Sequence, residues 1–219
     1  MTFEELIKNV RRRADMEFST IVSDEEVGYY INSSATELHD ILVTKFEDYY
    51  ITGPVDVTVL SGSTFELPSD FYKLKGLDVT LEGHDYAMDP FQFRDRHKYN
   101  NTFATRLFRN YDKRYRILGN TVHITPGSDA TGNYKLWYVP KFPKLVDPSD
   151  ELDVVYGWEE YIIVDAAVKC LQKEESDPTI LLAQKQALFN RIEVAAANRD
   201  VGASETVVDV HNWDWVPNE

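Results

Sequence analysis

The sequence holds a single cysteine, Cys170, so neither an internal disulfide framework nor a cysteine-rich metal site can form. Its place on an apolar helical stripe reads as a small buried hydrophobe and not as a nucleophile. Histidine is scarce as well. His39, His84, His97, His123 and His211 include no pair at metal-ligand spacing, and no metal or cofactor is expected. No apolar run has the length of a membrane span: the longest near a helix, Tyr161 to Val164, stops at Asp165. The opening stretch MTFEELIKNVRRR lacks the apolar centre of a signal peptide, so the expectation is a soluble product made in the cytoplasm. Catalytic motifs are missing too. There is no glycine-rich loop followed by lysine, no G-x-S-x-G, no H-E-x-x-H and no Asp/Asn-rich calcium loop. The adjacent carboxylates Glu159-Glu160 and Glu174-Glu175 splay apart on a helix, where an acid and base pair would have to converge. An enzyme is the least supported class, and no catalytic residue is assigned.

What is abundant is negative charge. The 219 residues carry 37 Asp and Glu against 23 Lys and Arg, a formal charge of -14. Such a balance disfavours general binding to nucleic acid or to anionic lipid and favours solubility. Helical periodicity marks both ends of the chain. Phe3, Leu6, Ile7, Val10 and Ala14 predict an amphipathic helix over residues 2–18, with Thr2 and Glu5 as a capping box. Ser23 and Glu26 form a second box. From there Val27, Tyr30, Ile31, Ser34, Leu38, Ile41, Leu42 and Tyr49 predict a helix over 24–50, ending before Gly53-Pro54. Residues 158–202 read as a helical hairpin. Its first stripe is Tyr161, Ile162, Asp165, Ala166, Lys169 and Cys170, its break is Ser176-Asp177-Pro178, and its second stripe is Leu181, Leu188, Ile192 and Ala195. Asp177 is the expected N-cap, with Pro178 in the first turn. The second helix is rich in alanine, which lets neighbours approach its backbone.

Between these helices the period changes to two. Val55, Val57 and Val59 alternate with polar residues, Phe65 and Leu67 flank Glu66, and Leu74 to Leu81 continues the pattern. Tyr115 to Leu118 and Thr121 to Thr125 predict a hairpin across Gly119-Asn120, followed by a strand at Tyr134 to Val139. The expected fold class is therefore α+β. Two N-terminal and two C-terminal helices (1–53 and 151–202) make an antiparallel bundle, 54–150 is an inserted antiparallel β-sandwich or barrel-like domain, and 203–219 is an extended tail.

Two stretches remain outside that frame. Within residues 91–116, Arg94, Arg96, Lys98, Arg106, Arg109, Lys113, Arg114 and Arg116 face only Asp95 and Asp112. Phe91, Phe93, Tyr99, Phe103, Phe108, Tyr111 and Tyr115 interleave with those cations. Three readings stay open: a solvated loop covering the sheet, a contact with acidic protein surface such as a neighbouring copy, or nucleic-acid recognition, which the charge of the remaining chain opposes. The tail ASETVVDVHNWDWVPNE places Val207, Val208, Val210, Trp213, Trp215 and Val216 on a segment too short for a core of its own. Burying a large apolar side chain is worth about 1.5 to 3 kcal/mol, so it docks either on its own helices or on another subunit or partner.

The order of elements, with FELPSDFYKLKGLDV, RILGNTVHITPG, YKLWYVPKFPKL, GWEEYIIVDAAVKCLQKEESD and NRIEVAAANRDVG, resembles the head-to-tail adaptor (connector) proteins of tailed bacteriophages. The likeness spans nearly the whole chain and rests on layout, because no catalytic motif defines the family. It implies a structural virion protein at the head–tail junction: a ring, usually of twelve copies, mounted under the portal protein, with a downstream tail or nozzle protein beyond it. On this reading Val207, Val208, Val210, Trp213 and Trp215 dock on the portal. Arg94, Arg96, Arg106, Arg109, Arg114 and Tyr111 contact a neighbouring copy or tail component. Twelve copies would carry roughly -168, so a channel lined by Glu37, Asp40 and Glu47 would let DNA pass without binding it. The rival classes are a carbohydrate-binding β-sandwich or other tail component and, last, a hydrolase.

Overall fold

The computed structural model describes residues 1–46, 48–97, 113–155 and 157–198. Among them the fold is α+β. Helix α1 is Phe3–Arg13 and α2 is Asp24–Lys45; α3 is Glu159–Lys173 and α4 is Thr179–Ala197. Both expected capping boxes form. Thr2 and Ser23 accept from the amides of Glu5 and Glu26 at 3.3 and 3.2 Å, and each glutamate reaches back to the cap amide. This satisfies donors that the first turn leaves unpaired.

Three helix ends differ from expectation. Helix α1 stops at Arg13, not near 18, because Asp15 turns into the left-handed region at φ 57° and Arg11 gathers the following loop. Its guanidinium donates to the carbonyls of Met16, Ser19 and Val22. Helix α2 stops at Lys45, not near 50. Beyond it Phe46, Tyr49 and Tyr50 are spent on ring packing, with Tyr49 5.9 Å from Trp158 and Tyr50 4.7 Å from His39. At α4, Pro178 occupies the cap position in place of Asp177, whose carboxylate still accepts from the Thr179 amide at 3.0 Å.

The strands are β1 Val55–Val59, β2 Thr64–Glu66, β3 Phe71–Leu81, β4 His84–Ala87, β5 Asp89–Pro90, β6 Arg114–Leu118, β7 Thr121–Thr125 and β8 Gly132–Pro140. They make two four-stranded sheets, β1-β8-β3-β4 and β2-β7-β6-β5. Pairing is antiparallel except that β5 runs parallel to β6 over two residues, a departure from the all-antiparallel expectation. Gly119, at φ 62°, supplies the turn that lets Leu118 pair with Thr121.

Burial separates two apolar clusters. One draws Leu6, Val10, Ile31, Leu38, Leu42, Tyr161, Ile162 and Ile192 from the four helices. Phe142, Leu145 and Leu152, on the return from β8, pack into the same cluster. The other draws Leu77, Val79, Val122, Ile124, Tyr134, Leu136 and Tyr138 from both sheets. In β8 the buried residues alternate, Tyr134, Leu136, Tyr138, as the period of two requires. The chain start is stitched to the return segment: Phe3 donates to the Asp150 carbonyl at 2.8 Å, and Leu152 to that of Met1 at 3.1 Å.

Candidate functional site

Three features join residues in ways that bear on function: a charged cluster between helices, a junction between helices and sheet, and a cationic aromatic edge on the second sheet. The cluster starts from Asp165, only 2% exposed on α3. Lys185 of α4 lies 2.8 Å from one of its oxygens and Lys169 2.8 Å from the other. Lys185 also meets Glu37 of α2 at 2.9 Å, and the Tyr161 hydroxyl donates to Glu37 at 3.0 Å. Lys169 donates on to Ser33 and Ser34 of α2 at 3.1 and 3.0 Å. Burial opposes ionisation of Asp165, but the hydrogen bonds from Lys169 and Lys185 outweigh it and hold the carboxyl below its usual range. Desolvation works against charged Lys185 in the same way, and Asp165 and Glu37 reverse the effect, keeping it a cation. Burial, then the Glu37 charge, raise the Tyr161 phenol far above its ordinary value. Charges balance within the cluster, so it ties α2, α3 and α4 together without presenting a reactive group. Burial pushes the neighbouring Cys170 thiol up to about 11, in keeping with a packing role.

At the junction, Asn32 of α2 clasps the backbone of Leu145 in both directions, at 2.9 and 2.8 Å. The Tyr72 hydroxyl of β3 donates to Asp40 at 2.8 Å, and Lys75 meets Asp48 at 2.8 Å. His39 is buried among Tyr50, Tyr72 and Phe142, and its Nε2 has no hydrogen-bond partner among the described residues. Desolvation lowers its pKa, overriding the pull of Asp40.

The cationic edge is built from β6 and the turn Phe93–Asp95. The Arg116 guanidinium donates to the Phe91 carbonyl at 2.9 Å and sits 5.9 Å from the Phe93 ring, whose other neighbour is Arg96 at 4.7 Å. Arg94 is well exposed, with Asp95 no nearer than 3.9 Å. Arg114 opens β6, its carbonyl accepting from the Thr125 hydroxyl at 3.4 Å. Beside Phe93 lies a cavity of about 280 Å3, with Phe91, Phe93, Leu118 and Ile124 as its apolar lining and Ser63, Arg96, His97, His123 and Thr125 as its polar part. That arrangement suits an apolar anchor flanked by carboxylates.

The candidate residues are thus distributed. Arg114 lies on β6 of the second sheet, and Arg94 and Arg96 on the turn at Phe93–Asp95, which meets that strand through Arg116; Arg106, Arg109 and Tyr111 lie outside the described residues. Glu37 and Asp40 share α2, the first engaged by Lys185 and Tyr161 and the second exposed and accepting from Tyr72. Glu47, Val207, Val208, Val210, Trp213 and Trp215 lie outside the described residues. Sequence reasoning missed Lys185 and His39. The signal for the first was the charged pair Asp165 and Lys169 at i, i+4 on an otherwise apolar stripe, which calls for a further cation when the carboxylate is buried.

Against this geometry stand the comparisons with known proteins. The family model described as SU10 adaptor protein matches residues 1–209. The chain belongs to the SU10 adaptor protein family. Membership makes this adaptor chain a structural phage protein and a virion component that associates with other virion components. No curated protein matches the adaptor chain at a significant level. Among its described residues no helix is long and apolar enough to cross a membrane, and no group of three or more His, Cys, Asp or Glu is placed to hold a metal ion.

Proposed function

We propose that the chain forms the ring that joins portal to tail, with copies arranged around the DNA channel. The observation that carries this reading is the family match over residues 1–209, on a fold of helices at both chain ends and sheets between. The helical segments, 1–53 and 151–202, form the bundle of the ring wall. The β-sandwich inserted between them, 54–150, faces a neighbouring copy or the next tail component. Its edge, with Arg94, Arg96 and Arg114 described and Arg106, Arg109 and Tyr111 continuing the same segment, takes an acidic surface there, the cavity beside Phe93 receiving an apolar anchor. The tail, through Val207, Val208, Val210, Trp213 and Trp215, docks on the portal. Acidic helix residues keep the channel repulsive to DNA. Asp40 carries more of that field than Glu37, whose charge Lys185 offsets.

The experiment is electron microscopy of the purified chain mixed with the portal protein of the same phage, using the full chain and a version ending at Gly202. A ring of about twelve copies stacked on the portal by the full chain, and absent from the portal with the shortened one, supports the reading. A full chain that leaves the portal bare defeats it.

A further inference from the structure

Two exposed patches with apolar residues lie on α1 and on α4. The first is a groove of about 850 Å3 along α1, bordered by Phe3, Ile7, Phe18, Val146 and Pro148. Phe18 is 95% exposed and Val146 74%. Charged residues line the groove as well and are paired locally: Glu4 with Lys8 and Arg11 with Asp24, each at 2.6 Å, and Glu17 with Arg12 at 3.1 Å. The groove is therefore nearly neutral in a chain of -14.

The second patch is the outer face of α4. Leu181, Ile192 and Ala196 are the residues this helix buries. On its opposite side Ile180, Ala183, Ala187, Asn190 and Val194 recur at helical spacing, with Ile180 74% and Val194 62% exposed and no charged residue in the stripe. A large exposed apolar stripe on an acidic protein marks a contact surface.

The two patches are separate surfaces on different helices. Helices α1 and α4 each pack against both α2 and α3. Arg13 on α1 reaches toward Gln184 of α4 and Glu160 of α3. Arg11, which lines the groove, lies about 200° away around α1 at ~100° per residue, so the groove opens on the side away from α4.

We propose that the occupant of each patch is a second copy of this chain: the α4 stripe of one copy seats in the α1 groove of the next. The inference rests on the ring reading above and names the surfaces that would close it. Two different patches, one seating in the other, make a head-to-tail contact, the kind that generates rings, whereas a self-complementary patch stops at a dimer. Neutrality selects the partner. Copies of so acidic a chain can approach where no unpaired carboxylate meets another, and both patches meet that condition.

The test uses the full chain and two single variants at exposed positions, Val194→Asp in the stripe and Phe18→Asp in the groove, with circular dichroism to confirm folding. In sedimentation velocity over a concentration series, the wild type should associate and each variant should associate at least about 30-fold more weakly. An equimolar mixture of the two variants should stop at a dimer, because the intact stripe of one can seat in the intact groove of the other and no further copy can add. Variants that assemble like the wild type overturn the proposal. So does a mixture that stays monomeric, or a wild type that never associates. If rings still stack on the portal with either variant, this pair of surfaces is wrong while the adaptor reading stands; if the wild type leaves the portal bare, that reading falls as well.

Discussion

Helices α2, α3 and α4 enclose opposite charges, while the cluster shared by the two sheets is apolar and aromatic. Between the helices, Asp165 is 2% exposed and is met by two lysines from two helices. In the sheets, Leu77 faces Leu136 and Val79 faces Tyr134 across the ladder, and the pair Lys135–Asp85 lies toward the surface. Lys113 is buried there, but against the Tyr134 ring and the Thr131 carbonyl. The difference follows from how each element fixes its register. A strand is positioned by ladder hydrogen bonds, and a one-residue slip would turn every inward side chain out. Two helices carry no such bonds between them and can slide along apolar ridges, so a paired charge cluster is one way to select a single alignment.

The sharpest way to break this comparison is Asp165→Ala. It leaves Lys185 and Lys169 without their shared partner and should cost about 3 to 5 kcal/mol in urea unfolding. Replacing the carboxylate together with both lysines, Asp165→Leu with Lys169→Met and Lys185→Met, should cost much less. If hydrogen exchange then shows the same helix protection as in the wild type, the cluster is not what selects the alignment. A second measurement probes the other region. Leu136→Ala should destabilise by about 2 to 5 kcal/mol and should lower amide protection in the sheets first. Equal loss in α2 and α3 would mean that the two clusters unfold as one.

The smallest effect concerns the junction. Burial lowers the pKa of His39, so below its ordinary value of 6.5 the unfolded chain binds the proton and the folded chain resists it. Stability should fall as the pH drops from 6.5 through the lowered folded value, and His39→Gln should flatten that part of the curve. A slope unchanged in the variant assigns it to other groups. Asp165 acts in a lower window: its folded pKa is depressed, so its contribution is present above the ordinary 3.8 and is lost as the pH falls through the folded value.

Much of the architecture is legible in the sequence. The capping boxes at Thr2 and Ser23, the hairpin at Gly119-Asn120 and the alternation in β8 are local events, each written in residues two to four apart. The helix ends that fall elsewhere than expected answer to contacts that periodicity does not report. The aromatic run Phe46, Tyr49 and Tyr50 keeps a helical period, yet its rings gain more from His39 and Trp158 than from another turn. Strand β4 gives no such signal, because all four of its residues are exposed and leave no alternation to see. The basic composition of 91–116 is plain from the sequence, but that Phe93 lies between Arg96 and Arg116 is not, since β6 and the turn before it meet only in the folded sheet.

By itself the sequence determined the α+β class, the helices at both ends with strands between them, and the resemblance that the family match then supported. Periodicity, caps and turns act over a few residues, so one chain read in order contains them. Only the tertiary structure decided that Lys185 completes the Asp165 cluster from 20 positions away, that Arg11 closes the loop after α1, and that the α1 groove opens on the side of its helix away from Arg13 and Gln184. Those are relations between elements. Pairing a charge or uncovering a face depends on how two helices pack around a third, and no local spacing encodes that.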